Sequence, residues 1–276
     1  MLEMHGGTKL MSYGFIDAKT FSFNSLLLMD TWIVRYISNK KNPEFNQKLA
    51  VALAANPVVL WYFGTMCPDR REYYETLAGS APADVSPEHV RECEIYVLDA
   101  LDTFIVYLYP AIMDELPYIK AWDAHRLLSI TDFTGKMVLD IGSGTGRLAI
   151  AAAPFAKWVY ACEPVDRLRE YLREKLERLR IENVFVVDGT LEKLPFPDES
   201  FDIVVSGHVF GDDYKEELRR MSRVTKVGGC IIDCPGEDSE KHPDGPNREM
   251  IELGFEYAHY LSTLGGDVYR YWKWKT

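Results

Sequence analysis

Val138-Leu139-Asp140-Ile141-Gly142-Ser143-Gly144-Thr145-Gly146-Arg147 decides the fold. An apolar run carrying one acid ends at a glycine-rich turn, and a helical pattern opens immediately, near Thr145. Glycine there permits positive φ and lets a ligand approach the backbone closely. The start of the following helix offers free N–H groups and the positive end of its dipole. The spacing is DxGxGxG. A dinucleotide fingerprint, GxGxxG, would place its third glycine at 147, where Arg147 stands, and the lysine of a P-loop is missing.

Outward from this turn, short apolar strands alternate with amphipathic helices. The strands read MVLDI (137–141), WVYAC (158–162), VFVVD (184–188), FDIVVS (201–206) and GGCIID (228–233). Helices are expected to start near Thr145, Pro164 and Asp212, while LPFPDES is mainly loop. Such alternation predicts a doubly wound, Rossmann-like α/β fold with helices on both faces of a parallel sheet. The tail departs from it: FEYAHYLS and VYRYWKWK flank LGGD, the pattern of an antiparallel C-terminal hairpin at the sheet edge.

Two further acids sit at strand ends. Glu163 follows WVYAC about 20 residues after the glycine turn, where a carboxylate accepts both hydroxyls of a ribose. Asp188, before Gly189 and Thr190, suits an adenine amino group. Taken singly, each acid reads better as a solvated strand end. Three acids at successive strand ends after a glycine turn mark one crevice at the carboxyl edge of the sheet.

On VLDIGSGTGRLAI, YACEPVDRL, VVDGTLEKLPFPDESFDIVVSGHVF and VGGCIIDCPG, the chain from about 134 to 276 resembles the class I S-adenosylmethionine-dependent methyltransferases. LPFPDESFDIVVS points to the branch that includes ubiquinone and sterol methyltransferases. The resemblance implies a seven-stranded sheet ending in an antiparallel hairpin. It implies S-adenosylmethionine as cofactor and S-adenosylhomocysteine as product. Asp140 with Gly142, Ser143, Gly144, Thr145 and Gly146 would hold the methionine moiety. Glu163 would take the ribose, with Pro164 near the adenine. Asp188, Gly189 and Thr190 would hold the adenine edge. Ser206, Gly207 and His208 would lie beside the methionine part and the acceptor. SGHVFGDDYKEEL departs from the branch's usual pattern after the fourth strand, so the acceptor does not transfer by analogy.

His208 is the candidate catalytic residue, as a general base or as a group that positions an acceptor hydroxyl or amine. Its alternative is packing or a hydrogen bond to Asp212 or Asp213. The charged run Arg167–Arg180 reads as a solvated helix face.

The resemblance leaves out residues 1–133, which read as a separate helical, aromatic-rich N-terminal domain. Leu26, Met29, Ile33, Tyr36 and Ile37 recur at helical spacing. Asp69 opens a short helix that Gly79 ends. Ser86-Pro87 opens a long one stopping near Pro110, and another is expected from Tyr118 to Leu128. Tyr73, Tyr74, Tyr96, Tyr107, Tyr109 and Tyr118 form either a lid over the acceptor or an ordinary helical core. Tyr13 and Phe15 suggest a flap over the cofactor. Leu49–Met66 is uncharged, but Asn56-Pro57 splits it as N-cap and first helical residue, so two short helices are expected rather than a membrane span.

The chain has 276 residues, 47% hydrophobic and 26% charged, values that suit a globular protein. Lys and Arg number 31 against 42 Asp and Glu, a formal charge of −11, which disfavours nucleic acid and anionic membrane as partners. Five scattered cysteines without a CxxC predict free thiols in a reducing cytoplasm, and no Cys/His cluster predicts a metal. The leading expectation is methyl transfer to a small-molecule nucleophile. Methylation of a protein or RNA, or a non-catalytic S-adenosylmethionine-binding interaction protein, stands beside it. Substrate and oligomeric state stay open.

Overall fold

The computed structural model describes residues 16–211, 213–238 and 240–276. Tyr13, Phe15 and Asp212 therefore lie outside the described residues. The chain forms two compact units divided between Tyr109 and Pro110, whereas the sequence texture changes near 133.

The first unit is helical. After two 3-10 turns come α1 (Thr31–Asn39), α2 (Pro43–Ala55), α3 (Pro57–Met66), α4 (Arg71–Gly79), α5 (Pro87–Asp99) and α6 (Asp102–Leu108). Leu26, Met29, Ile33 and Ile37 are fully buried in its core. Among the described residues no single helix is long and apolar enough to cross a membrane, and α2 and α3 bend by 110° at Asn56. Ser86 caps α5, accepting from His89 N at 3.2 Å. The long helix expected up to Pro110 breaks instead between Asp99 and Asp102, two residues of low helix propensity. Tyr74 packs on Phe63 with ring centroids 5.0 Å apart and donates its hydroxyl to Val34 O, so it belongs to the core.

The second unit opens with α7 (Pro110–Glu115), α8 (Pro117–Lys120) and α9 (His125–Leu128). The helix expected from Tyr118 to Leu128 is thus two turns, interrupted where the Asp123 carboxylate accepts from His125 N at 2.9 Å. Then follow β1 (Met137–Ile141), α10 (Arg147–Ala152), β2 (Trp158–Cys162), α11 (Asp166–Leu179), β3 (Val184–Val187), β4 (Phe201–Ser206), α12 (Tyr214–Val224), β5 (Thr225–Asp233), α13 (Arg248–Glu252), β6 (Glu256–Leu261) and β7 (Asp267–Trp274).

The strands form one seven-stranded sheet in the order β3-β2-β1-β4-β5-β7-β6. β1 to β5 are parallel, with Leu139 opposite both Tyr160 and Val204. β7 enters antiparallel between β5 and β6, pairing Ile232 with Trp272 and Tyr260 with Val268. Alternate residues of each strand face opposite layers, as the pleat requires. Val138, Val159, Ile203 and Ile232 pack with Leu148, Ala149 and Leu172 on one face. Leu139, Val204 and Ile231 pack with Met221 and Val224 on the other. Chain order reverses beside β1, where β2 and β4 diverge, and this switch point fixes the crevice.

Candidate functional site

The glycine turn leaves β1 with positive φ at Gly142, Gly144 and Gly146. Gly146 is the most constrained: with φ 91°, an added Cβ would lie 2.4 Å from Leu172 Cδ1 of α11. The turn hangs on the end of β2, because Cys162 O accepts from Gly142 N at 2.8 Å and Ser143 N at 3.2 Å.

Glu163, just past β2, is buried with its carboxylate turned into this turn. Oε2 accepts from Gly144 N at 2.8 Å and Oε1 from Val165 N at 2.9 Å. Asp140 is also buried. Its Oδ2 accepts from Ala149 N at 3.0 Å, at the start of α10, while Oδ1 has no partner among the described residues. Burial pushes this carboxyl up to about 7. Ser143 Oγ and Thr145 Oγ1 are buried and equally unpartnered among the described residues. Three unsatisfied polar atoms in one turn suit a polar ligand that supplies their partners, since such atoms are costly to leave alone. The S-adenosylmethionine implied by the resemblance carries an ammonium, a carboxylate and ribose hydroxyls, and the residues present fit it.

The end of β3 is less enclosed. Asp188 is 75% exposed and accepts from Arg169 Nη1 at 3.1 Å. The same Arg169 nitrogen donates to Glu163 O at 2.8 Å and Pro164 O at 2.7 Å, so it ties the ends of β2 and β3 together. Gly189 lies so close to Cys162 Sγ that a Cβ would approach it to 2.7 Å. Thr190 Oγ1 is engaged by Lys193 N at 3.2 Å. The α11 charges are thus more than a solvated face. Arg169 and Lys175 flank the buried Leu168, Leu172 and Leu176 stripe and turn inward. Lys175 donates to Thr145 O at 3.1 Å and pairs with Asp114 of α7 at 2.7 Å.

The crevice continues at the end of β4. Ser206 is fully buried and its hydroxyl donates to Asp233 Oδ1 at 2.9 Å, so the side chain serves the β4–β5 junction. Burial pushes the Asp233 carboxyl up to about 6. Gly207 makes room for Arg147, whose Nη2 would lie 2.5 Å from a Cβ there. His208 meets Tyr118 edge to face at 6.1 Å. His208 is exposed at the surface. Loss of hydration first, and the Arg147 charge second, push the imidazole below its ordinary range, and the open edge limits the first effect. At pH 7 the ring is neutral.

Residues 110–130 belong to this same unit and cover the crevice. Met113 Cε sits 3.3 Å from where a Gly144 Cβ would be. Tyr118 O accepts from Glu237 N at 3.0 Å, beyond β5. Trp122 lays its ring on the Arg147 guanidinium at 4.6 Å. Sequence reading placed Tyr118 among the N-terminal aromatics and missed Met113, Trp122, Arg147 and Arg169 as site residues. Only Arg147 had a local signal, standing where a dinucleotide site would carry glycine.

Residues 139–232 match the family model described as "Methyltransferase domain". Three similar relatives are methyltransferases by name. An uncharacterised methyltransferase, YcgJ, of Bacillus subtilis (strain 168) is 36% identical over 123 residues, 43% of this chain and 48% of that protein. An uncharacterised methyltransferase of Geobacillus sp. (strain WCH70) is 31% identical over 149 residues, 52% of this chain and 67% of that protein. A demethylmenaquinone methyltransferase of Halalkalibacterium halodurans is 32% identical over 157 residues, 54% of this chain and 61% of that protein. The chain spans about half the length of the first curated relatives it matches, 48% and 55%.

Proposed function

This chain belongs to the class I S-adenosylmethionine-dependent methyltransferases, and from that premise we propose that it methylates a small-molecule nucleophile. The observation that carries the reading is the set of acids on the turn: Asp140 and Glu163 buried against Gly142–Gly146, with Asp188 at the next strand end.

When bound, S-adenosylmethionine supplies a sulfonium methyl that a nucleophile attacks in line, leaving S-adenosylhomocysteine. Methyl transfer of this kind depends on alignment more than on acid–base help. The side chains divide the work accordingly. Asp140, ionised, holds the ammonium of the methionine part, and Ser143 and Thr145 offer hydroxyls to its carboxylate. Glu163 would hold the ribose hydroxyls. Asp188, steadied by Arg169, accepts from the adenine amino group, with Pro164, Gly189 and Thr190 shaping the adenine slot. His208 orients the acceptor at the end of β4, and takes its proton where the acceptor carries one.

A small acceptor is favoured over a protein or RNA by the cover that residues 110–130 lay over the crevice, with Met113, Tyr118 and Trp122 turned toward it. The net charge of −11 opposes an RNA substrate. A relative that acts on demethylmenaquinone is consistent with a small aromatic acceptor. The test is incubation of the full chain with methyl-radiolabelled cofactor and a metabolite extract, then separation by size. Label in the low-molecular-weight fraction supports the proposal. Label confined to protein or RNA refutes it.

A further inference from the structure

Resting on the methyltransferase reading, we propose that Arg147, backed by Trp122 and facing the His208 turn, is a subsite for an ionised oxygen at the reacting end of the acceptor: a carboxylate, an enolate or an ionised phenol.

Arg147 opens α10 directly after Gly146, yet its side chain runs along the carboxyl edge of the sheet rather than out to solvent. Nη2 donates to Cys234 O at 3.0 Å and Nη1 to Pro235 O at 3.4 Å, both just beyond β5. On the way it passes under Gly207, beyond β4. The guanidinium therefore spans the ends of β4 and β5, where the acceptor has to stand.

Arginine stays protonated inside proteins, so enclosure does not discharge it. Among the described residues Arg147 makes no ion pair, in contrast to Arg126 with Glu237 at 3.9 Å, Arg169 with Asp188 at 3.1 Å and Arg223 with Asp198 at 2.8 Å. Asp140 and Asp233 act on it from beyond ion-pair distance. Asp140 is committed to the cofactor side and Asp233 to the Ser206 hydroxyl. Two carbonyl dipoles and the face of Trp122 offset the charge only in part.

One unpartnered donor lies beside the guanidinium. Trp122 Nε1 is buried without a partner among the described residues. It lies in the ring that stacks on the guanidinium. A guanidinium favours a planar oxyanion held in bidentate geometry.

The same charge logic suits the reaction. A sulfonium and a guanidinium on one sheet edge repel each other, and an anion between them removes the repulsion. A neutral, weakly basic His208 is a poor proton sink for an ordinary alcohol, whereas an acceptor that arrives ionised needs none. The anion's electron pair forms the bond to the methyl carbon and the carbon–sulfur pair stays on sulfur. One positive and one negative charge cancel, and no proton moves in the transfer step.

The experiment uses the full chain crystallised with S-adenosylhomocysteine and soaked in sodium bromide, then in bromide with excess sodium acetate. Anomalous scattering is expected to place bromide on the Arg147 guanidinium, and acetate is expected to displace it. Arg147→Lys should keep the site and Arg147→Gln should lose it. Wild-type crystals without bromide at Arg147, bromide that acetate leaves in place, or a site that survives in Arg147→Gln would each overturn the inference. The wild-type soaks decide even where Arg147→Gln does not fold. Failure of the wild type to bind S-adenosylhomocysteine would instead refute the cofactor reading beneath it.

Discussion

Glu163 Oε2 accepts the backbone N–H of Gly144 at 2.8 Å, so the acid at the end of β2 braces the glycine turn that it would share with the cofactor. Its other oxygen is held by Val165 N at 2.9 Å, which fixes the carboxylate before any ligand arrives. Removing a hydrogen-bonded charged group of this kind costs about 1.5–3 kcal/mol. Glu163→Ala is therefore expected to bind S-adenosylhomocysteine roughly ten- to hundredfold more weakly. Glu163→Gln keeps one accepting oxygen for two donors and should fall between. Calorimetry showing wild-type affinity in Glu163→Ala would remove the ribose assignment.

Asp140 links cofactor binding to pH. Its folded-state carboxyl titrates near 7, above an unfolded aspartate at about 3.9. In the ligand-free protein its contribution to stability is thus fully present below about pH 4 and is lost as pH rises through 7, on the order of a few kcal/mol. An ammonium beside it favours the ionised form. Affinity for S-adenosylhomocysteine should accordingly rise from pH 5 to pH 8, with proton release on binding below pH 7. Asp140→Asn should flatten both dependences. A wild-type affinity independent of pH over this range would contradict the assignment.

His208 should matter to turnover rather than to cofactor affinity. With an identified acceptor, His208→Ala is expected to lower the rate at least about tenfold through loss of acceptor orientation, while affinity for S-adenosylhomocysteine stays unchanged. Because its pKa is pushed down, the rate should show no inflection from this residue between about pH 5.5 and 8. A fully active mutant would exclude the role. A mutant that merely melts earlier would mark His208 as structural.

Gly146→Ala should damage the turn itself. The new methyl would meet Leu172 Cδ1 at 2.4 Å on a backbone with φ 91°. Left-handed strain and overpacking each cost about 1–3 kcal/mol. A lowered melting temperature together with weaker S-adenosylhomocysteine binding is expected. An unchanged melting temperature would show that the turn relaxes freely.

The β-strands were legible because periodicity and boundary residues agree in this chain. MVLDI, WVYAC and FDIVVS form strands with the expected limits, and the tail forms the antiparallel pair on either side of LGGD. β5 begins earlier than GGCIID, at Thr225, which pairs with Phe201 before a register shift sets Ile203 opposite Cys230. The acids at the strand ends were legible as types, while their engagement was not. Ser206 bonding Asp233, and Arg169 gathering Glu163, Pro164 and Asp188, depend on side chains brought together from distant sequence positions. The break between Asp99 and Asp102 and the two turns at 117–128 escaped periodicity, because an apolar stripe continues across a bend when both pieces bury the same side. Arg147 was visible only as the residue that spoils a dinucleotide fingerprint. Its path to Cys234 O could not be read from spacing.

Calorimetric titration of the full chain with S-adenosylhomocysteine, and separately with NAD, tests the central claim most directly. Asp140 and Glu163 on a DxGxGxG turn predict saturable binding of one equivalent of S-adenosylhomocysteine and at least about tenfold weaker binding of NAD, a difference of about 1.4 kcal/mol or more. Absence of S-adenosylhomocysteine binding, or NAD bound as tightly, would contradict the account.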